Sequence, residues 1–313
     1  MHPSALLLIV VVAGIAEGRG LPAAGTPAAR FWQEALPGTP MPKVITELVQ
    51  KGIDNSPLNE SYAAPHFSPS TQLGYSTYDS ACGKPSSSEE AEAATGIFFH
   101  EAQAREGSVM TVSLPPAAVP AFLPRDVAEK VPFANLTDVL ATFNIAPGST
   151  EATKAGQTLC GCRAAPLAGE QKACATSLEG TVWAATRMLG TTASGQVWVA
   201  ASEVPRDGLP RQAYVVSAVS ALDGDRHVGC HDEPFPYAVF HCHTAQSSTR
   251  AYEITLSNLH GSSPAVAMVA LCHRDTSNWN PAHPAFEMLG TQPGGAPVCH
   301  FMPYSNLVFG VKA

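Results

Sequence analysis

Charge is scarce in this chain. Asp, Glu, Lys and Arg make up 14% of its 313 residues, and no basic run occurs, so nucleic-acid binding has no electrostatic footing. The balance is acidic, −8 at neutral pH, which bears on solubility rather than on fold. Long apolar runs are also missing. No segment reaches the roughly eighteen continuous apolar residues that a membrane helix needs, so no membrane is expected for the mature form. The one short run, "ALLLIVVVAG", is followed by Gly14-Ile15-Ala16, small residues of the kind signal peptidase accepts. Residues 1–16 are read as a secretory signal, in preference to a membrane anchor or a buried N-terminal segment.

Export changes how cysteine is read. The eight cysteines are Cys82, Cys160, Cys162, Cys174, Cys230, Cys242, Cys272 and Cys299. An even number in an oxidising compartment favours disulfides over thiols. Cys162 and Cys174 are expected to pair across "CRAAPLAGEQKAC", a loop worth roughly 2–3 kcal/mol in the chain-entropy model. Cys160 then pairs elsewhere or competes with Cys162, and Cys82 is a candidate partner. Two glycosylation sequons, Asn59-Glu60-Ser61 and Asn135-Leu136-Thr137, fit the same route.

Residues 17–96 are rich in Pro, Ser, Gly and Ala and read as a variable, largely disordered segment. One short helix is expected in it, at "MPKVITELVQKG", with Val44, Ile45, Leu48 and Val49 on one face and Gly52 as a stop. From residue 97 the chain becomes domain-like. "TSLEGTVWAATRMLG" predicts a helix opened by a Thr176/Glu179 capping box and closed by Gly190. Gly180 weakens it by about 1 kcal/mol relative to Ala. The runs "GQVWVAA", "AYVVSAV", "YAVFHCH", "AYEITLS" and "AVAMVALCH" read as strands between turn-like segments. The expected fold class is α+β: a single β-rich domain over 97–313, mainly antiparallel sheet with a few helices.

One dipeptide stands out. Cys-His occurs at 230–231, 242–243, 272–273 and 299–300 and nowhere else. Zinc ligands in a structural site are usually two to five residues apart, so that one loop wraps the ion. Adjacent residues on a strand point to opposite faces. The spacing therefore predicts a division of labour: Cys230, Cys242, Cys272 and Cys299 form two disulfides of open connectivity, and the histidines converge on the other face. In "VFHCHT", His241 shares that face with His243. The alternatives are a metal site, a mutual hydrogen-bond cluster, or histidines that are bystanders. Asp223 with Asp225, and Asp232 with Glu233, are read as solvated loop charge and not as hydrolytic pairs. Ser177 lacks the glycine pattern of a nucleophile elbow.

The spacing of the four pairs, with ten, twenty-eight and twenty-five residues between them, resembles the signature of the BURP domain, a family of secreted plant proteins. "FFHEAQAREGSVMTVSLP", "FLPRDVAEKVPF", "GEQKACATSLE", "CHDEPFPYAVFHCH", "ALCHRDTSNWNP" and "PVCHFMPYSNLVFG" resemble successive parts of that domain, and "ARFWQEALPGTPMP" resembles the segment that often precedes it. Two departures are a slightly long second gap and Phe309 where the family usually has Trp. The resemblance implies export to the cell wall, the apoplast or a storage vacuole, and a developmental, seed, pollen or stress-linked role. It also implies copper as a cofactor in one group, the peptide cyclases that oxidatively cross-link Trp or Tyr, and a non-catalytic wall subunit associated with a pectin hydrolase in another. By motif, the copper-ligand candidates are His231, His243, His273 and His300; His260 and His283 lie outside it and read as surface or loop residues. Imidazole suits copper, and disulfide-bonded sulfur escapes oxidation beside it. Residues 17–96 hold Trp32, Tyr62, Tyr75 and Tyr78 but no repeated, aromatic-ended core peptide. A non-enzymatic role is therefore preferred, with wall polysaccharide or a wall protein as partner and a peptide substrate only under the cyclase reading.

Overall fold

The computed structural model describes residues 26–54, Cys82, 96–117, 120–191, 194–244, 249–259 and 264–312. The signal segment 1–16 and the sequon at Asn59 lie outside them. Among the described residues the fold is α+β, with eleven strands in two antiparallel sheets. In chain order the helices are α1 (Pro27–Ala35), α2 (Lys43–Asp54), α3 (Arg125–Ala128), α4 (Leu136–Thr142), α5 (Thr150–Arg163), α6 (Leu178–Leu189) and α7 (Pro284–Leu289). None of them is long and apolar enough to cross a membrane.

The six-stranded sheet runs β1 (Phe98–His100), β10 (Val298–Met302), β9 (Val266–His273), β8 (Thr249–Asn258), β5 (Leu209–Ala221), β2 (Val109–Leu114). Its end strands β1 and β2 feed one apolar cluster: Phe99 and Ile97 pack with Met110, Val112, Leu256, Met268 and Phe301. The sheet is thus curled around its own core, as twisted antiparallel sheets tend to be. The five-stranded sheet runs β3 (Lys172–Ala175), β7 (Val239–Thr244), β6 (His227–Glu233), β11 (Leu307–Val311), β4 (Val197–Ala201). Its outer face carries α6, which presents Leu178, Val182, Ala185 and Leu189 to Val228, Phe240 and Phe309. Between the sheets lie Ala251, Val269, Leu271, Met302 and Val308 and, beside them, the histidines.

The α6 helix starts one residue later than the capping-box pattern implies. Ser177, not Thr176, is the N-cap, its Oγ accepting from Gly180 N at 3.1 Å. Gly190 closes the helix in the left-handed region, at φ +67°. The pattern had the stop right and the start off by one because Thr and Ser stand side by side, and either could cap.

The largest difference from expectation lies N-terminal to the domain. Two helices form there rather than one, and both are part of the core. On α1, Thr26 caps the first turn through Oγ1 to Ala29 N, and Pro27 occupies the first helical position. Trp32 and Leu36 are buried against α6 together with Val44, Ile45, Leu48 and Val49 of α2. Trp32 Nε1 donates to Thr39 O at 2.8 Å, and Phe122 N donates to Leu48 O at 3.1 Å. Helix α2 continues past Gly52 to Asp54. A side chain at Gly52 would collide with the Phe122 carbonyl, so this glycine permits close approach and does not end the helix. Composition of the surrounding segment masked this pairing, because the apolar partner of α1 is a helix nearly 150 residues away.

Four disulfides tie the layers. Cys82 is joined to Cys160 and Cys162 to Cys174, which fastens the end of α5 to β3. Cys230 is joined to Cys242 and Cys272 to Cys299. Replacing Trp32 with Ala empties a site that is 2% exposed and is expected to cost about 3–5 kcal/mol. Urea unfolding of the oxidised protein measures this. A loss below about 0.5 kcal/mol, the size of an ordinary surface substitution, would mean α1 is not part of the folding unit.

Candidate imidazole cluster between the sheets

Each Cys-His pair lies on a strand, so the pleat sends its two side chains apart. In the ladder of β6 and β7, Cys230 faces Cys242 and His231 faces His241. In the ladder of β10 and β9, Cys299 faces Cys272. Cysteines directly opposite on neighbouring antiparallel strands are close enough to bridge. The Cys230–Cys242 bridge sits in the core under α6, and the Cys272–Cys299 bridge sits inside the curled sheet. The histidines occupy the layer between. His231 lies 5.3 Å from His243 and 5.4 Å from His300, ring centre to ring centre. His273 lies 5.3 Å from His300 and 6.0 Å from His243, and His241 lies 5.7 Å from His243. One cluster thus gathers two strands from each sheet, and none of the five rings is more than 7% exposed.

Burial in this dry layer disfavours the imidazolium form, and each charged ring would also repel its neighbours. His231 and His273 are held well below the ordinary histidine range by desolvation first and neighbouring imidazoles second. Desolvation brings His241 down to about 3 and His300 to about 4. Neutral rings carry one donor and one acceptor nitrogen each, and the outer partners decide which is which. His243 Nδ1 lies 2.7 Å from the Glu170 carboxylate, so it carries hydrogen and donates. His300 Nδ1 donates to Phe301 O at 3.3 Å and leaves Nε2 as the acceptor. His300 Nε2 faces His273 Nε2 at 3.2 Å. His273 Nδ1 is buried without a hydrogen-bond partner.

Several supporting residues carry no sequence signal. Glu170 lies in the loop before β3, yet it meets His243 as a carboxylate meets a metal-binding histidine in a supporting shell. Asn306 Oδ1 accepts from Asp232 N at 2.9 Å, and its Nδ2 faces His231 Nδ1 at 3.3 Å. Trp279 packs edge-on over His273, 4.9 Å away. One reading needs correction. Asp232 and Glu233 are not solvated: they lie on β6 and are 6% and 5% exposed. Glu233 Oε1 lies 3.6 Å from His241 Nδ1, and burial raises its pKa to about 7. His283 is a half-buried loop residue, in line with the sequence reading. It caps α7 through Nδ1, accepting from Ala285 N at 3.2 Å, and packs 4.7 Å from Trp279. Desolvation lowers it to about 4. Asp223 and Asp225 are exposed, His260 lies outside the described residues, and Ser177 is a helix cap.

The cluster's fit to copper can be tested on these distances. Nitrogens 3.2 Å apart match two ligands of one roughly tetrahedral ion bound at about 2.0–2.1 Å. Neutral imidazoles are the ligands copper prefers among these side chains. As the side chains stand, no group of three donors among the described residues converges on one point. Imidazole nitrogens suit copper as donors, and binding an ion here would require the rings to move.

The buried rings predict acid lability with a defined sign. An unfolded histidine titrates near 6.5, above the folded values of His241 and His300. The stability their neutral forms contribute is therefore complete above pH ~6.5 and lost as pH falls toward about 4 and about 3. Glu233 acts oppositely, losing stability as pH rises between its ordinary value of 4.5 and about 7. Four histidines outweigh one carboxyl, so stability should fall from pH 6.5 to 4.5 by more than about 1.4 kcal/mol per unit. Urea midpoints measured across this range check it; a flat profile would contradict burial of the cluster.

Comparison with known proteins agrees with this geometry. The BURP domain family model matches residues 97–311. Protein RAFTIN 1B of Triticum aestivum is 37% identical over 97% of this chain and 95% of its own. BURP domain-containing protein 13 of Oryza sativa is 41% identical over 82% of this chain and 60% of its own. BURP domain protein RD22 of Arabidopsis thaliana is 40% identical over 60% of this chain and 48% of its own. The chain belongs to the BURP domain family of plant proteins.

Proposed function

We propose that this protein is exported to the plant cell wall or apoplast, has a non-enzymatic role in development or stress, and holds copper in its imidazole cluster. The observation that carries the copper reading is five buried imidazoles in one layer, two of them with Nε2 atoms 3.2 Å apart. His243, His273 and His300 are the nearest to a ligand set, with His231 and His241 adjoining. All eight cysteines are in disulfides, which suits an oxidising compartment and leaves no thiol for the metal to oxidise. Bound copper would supply cross-sheet ligation and one-electron redox capacity. Burial speaks against a peptide cyclase: a substrate indole or phenol would have to reach rings no more than 7% exposed.

Metal content of the protein secreted by plant cells, purified without chelator and measured by mass spectrometry, tests the copper reading. Stoichiometric copper is expected. His273→Ala with His300→Ala should remove it while the far-ultraviolet circular dichroism is kept. A wild-type protein that stays metal-free even after incubation with copper would overturn the reading.

Export has its own test. Asn135 is exposed at the start of α4, and its Oδ1 accepts from Thr137 N at 2.9 Å. A glycan attaches to Nδ2, so capping and glycosylation are compatible at this residue. The secreted protein should begin near residue 17 and carry a glycan on Asn135 that Thr137→Ala abolishes. A mature chain that retains residues 1–16 would contradict export through a cleaved signal.

A further inference from the structure

The four motif histidines look equivalent in sequence, but their outer partners differ in kind. His243 meets a carboxylate, which can only accept when ionised, and His300 meets a backbone carbonyl, which always accepts. Both rings therefore carry hydrogen on Nδ1. His231 meets Asn306, an amide that can face either way. Its orientation is fixed by a third group: Asp232 N can only donate, and it lies 2.9 Å from Oδ1. The Asn306 NH₂ is thereby turned toward His231 Nδ1, 3.3 Å away. Asn306 is 3% exposed and His231 2%, so bulk water does not compete for this contact.

We propose that Asn306 is a positioning residue that holds His231 in the opposite tautomer from His243 and His300, making His231 a hydrogen-bond donor to the cluster and not an ion ligand. A donated hydrogen bond at Nδ1 requires the lone pair there, so a neutral ring carries its proton on Nε2. His273 also donates from Nε2 in the metal-free cluster, to His300 Nε2 at 3.2 Å, but its Nδ1 has no hydrogen-bond partner, so its proton can move there and leave Nε2 to an ion; the Asn306 contact denies His231 that shift.

The tautomer assignment stands on hydrogen-bond geometry and needs no ion; its consequence for ligation rests on the copper reading above. Long-range ¹H–¹⁵N spectra of the metal-free, ring-¹⁵N-histidine protein at neutral pH read the protonated nitrogen of each ring directly. His231 is expected to carry hydrogen on Nε2, and His243 and His300 on Nδ1. Asn306→Asp keeps an acceptor for Asp232 N but replaces the donor with a carboxylate, so the His231 proton should move to Nδ1. Should that variant fail to fold, the wild-type spectrum decides alone: Nδ1–H on His231 overturns the proposal. On the ligation side, His231→Gln should retain copper stoichiometry where His243→Ala and His300→Ala lose it. Loss of copper in His231→Gln with its fold intact would overturn the donor role. Wild-type protein that binds no copper would overturn the copper reading and leave the tautomer result standing.

Discussion

The pleat of the β-strand is the constraint on which the rest of this structure depends. Two side chains adjacent in sequence must leave a strand on opposite faces. Writing Cys-His on four strands, two in each sheet, therefore assigns sulfur to one side of each sheet and imidazole to the other. The register then does the pairing. Cys230 stands opposite Cys242 and Cys272 opposite Cys299, so each bridge closes across neighbouring strands. Stacking the sheets with their histidine faces inward produces the cluster. Had the register slipped by one residue on β7, Cys242 would have entered the imidazole layer and His243 the core under α6.

A buried layer of five histidines is costly unless its polar atoms are paired and its rings are neutral. The structure meets both conditions in part. Glu170, Asn306 and the Phe301 carbonyl each engage one Nδ1, and burial disfavours the charged form of His231, His241, His273 and His300. The His273 Nδ1 atom, buried and without a hydrogen-bond partner, is one place where this arrangement falls short. The outer layers hold the strands in register meanwhile. Helices α1 and α2 cover the face bearing Cys230–Cys242, which is why a segment outside residues 97–311, the span the family model matches, is integral to the fold.

Much of this was legible in the sequence, for identifiable reasons. Strand runs with turn residues between them gave the antiparallel sheet content, and alternation gave the separation of Cys from His, including the shared face of His241 and His243. What sequence could not supply was anything set by distant contacts. Helix α1 needs α6 to bury Trp32, and the intervening chain is long. Asp232 and Glu233 look like loop charge because acidic residues seldom lie inside a sheet; their strand runs between two others, where no solvent reaches. Glu170, Asn306 and the packing of His283 under Trp279 are products of tertiary placement alone. Ser177 in place of Thr176 as the cap is a one-residue matter that local preference does not resolve.

The division of each Cys-His pair by face can be put to one direct measurement, peptide mapping of the secreted, unreduced protein at acid pH. The account predicts linked peptides joining Cys230 to Cys242 and Cys272 to Cys299, each within one sheet. A bridge between sheets, such as Cys230 to Cys272, would place sulfur in the layer assigned to the imidazoles. That result, or free thiols at these four positions, would contradict it.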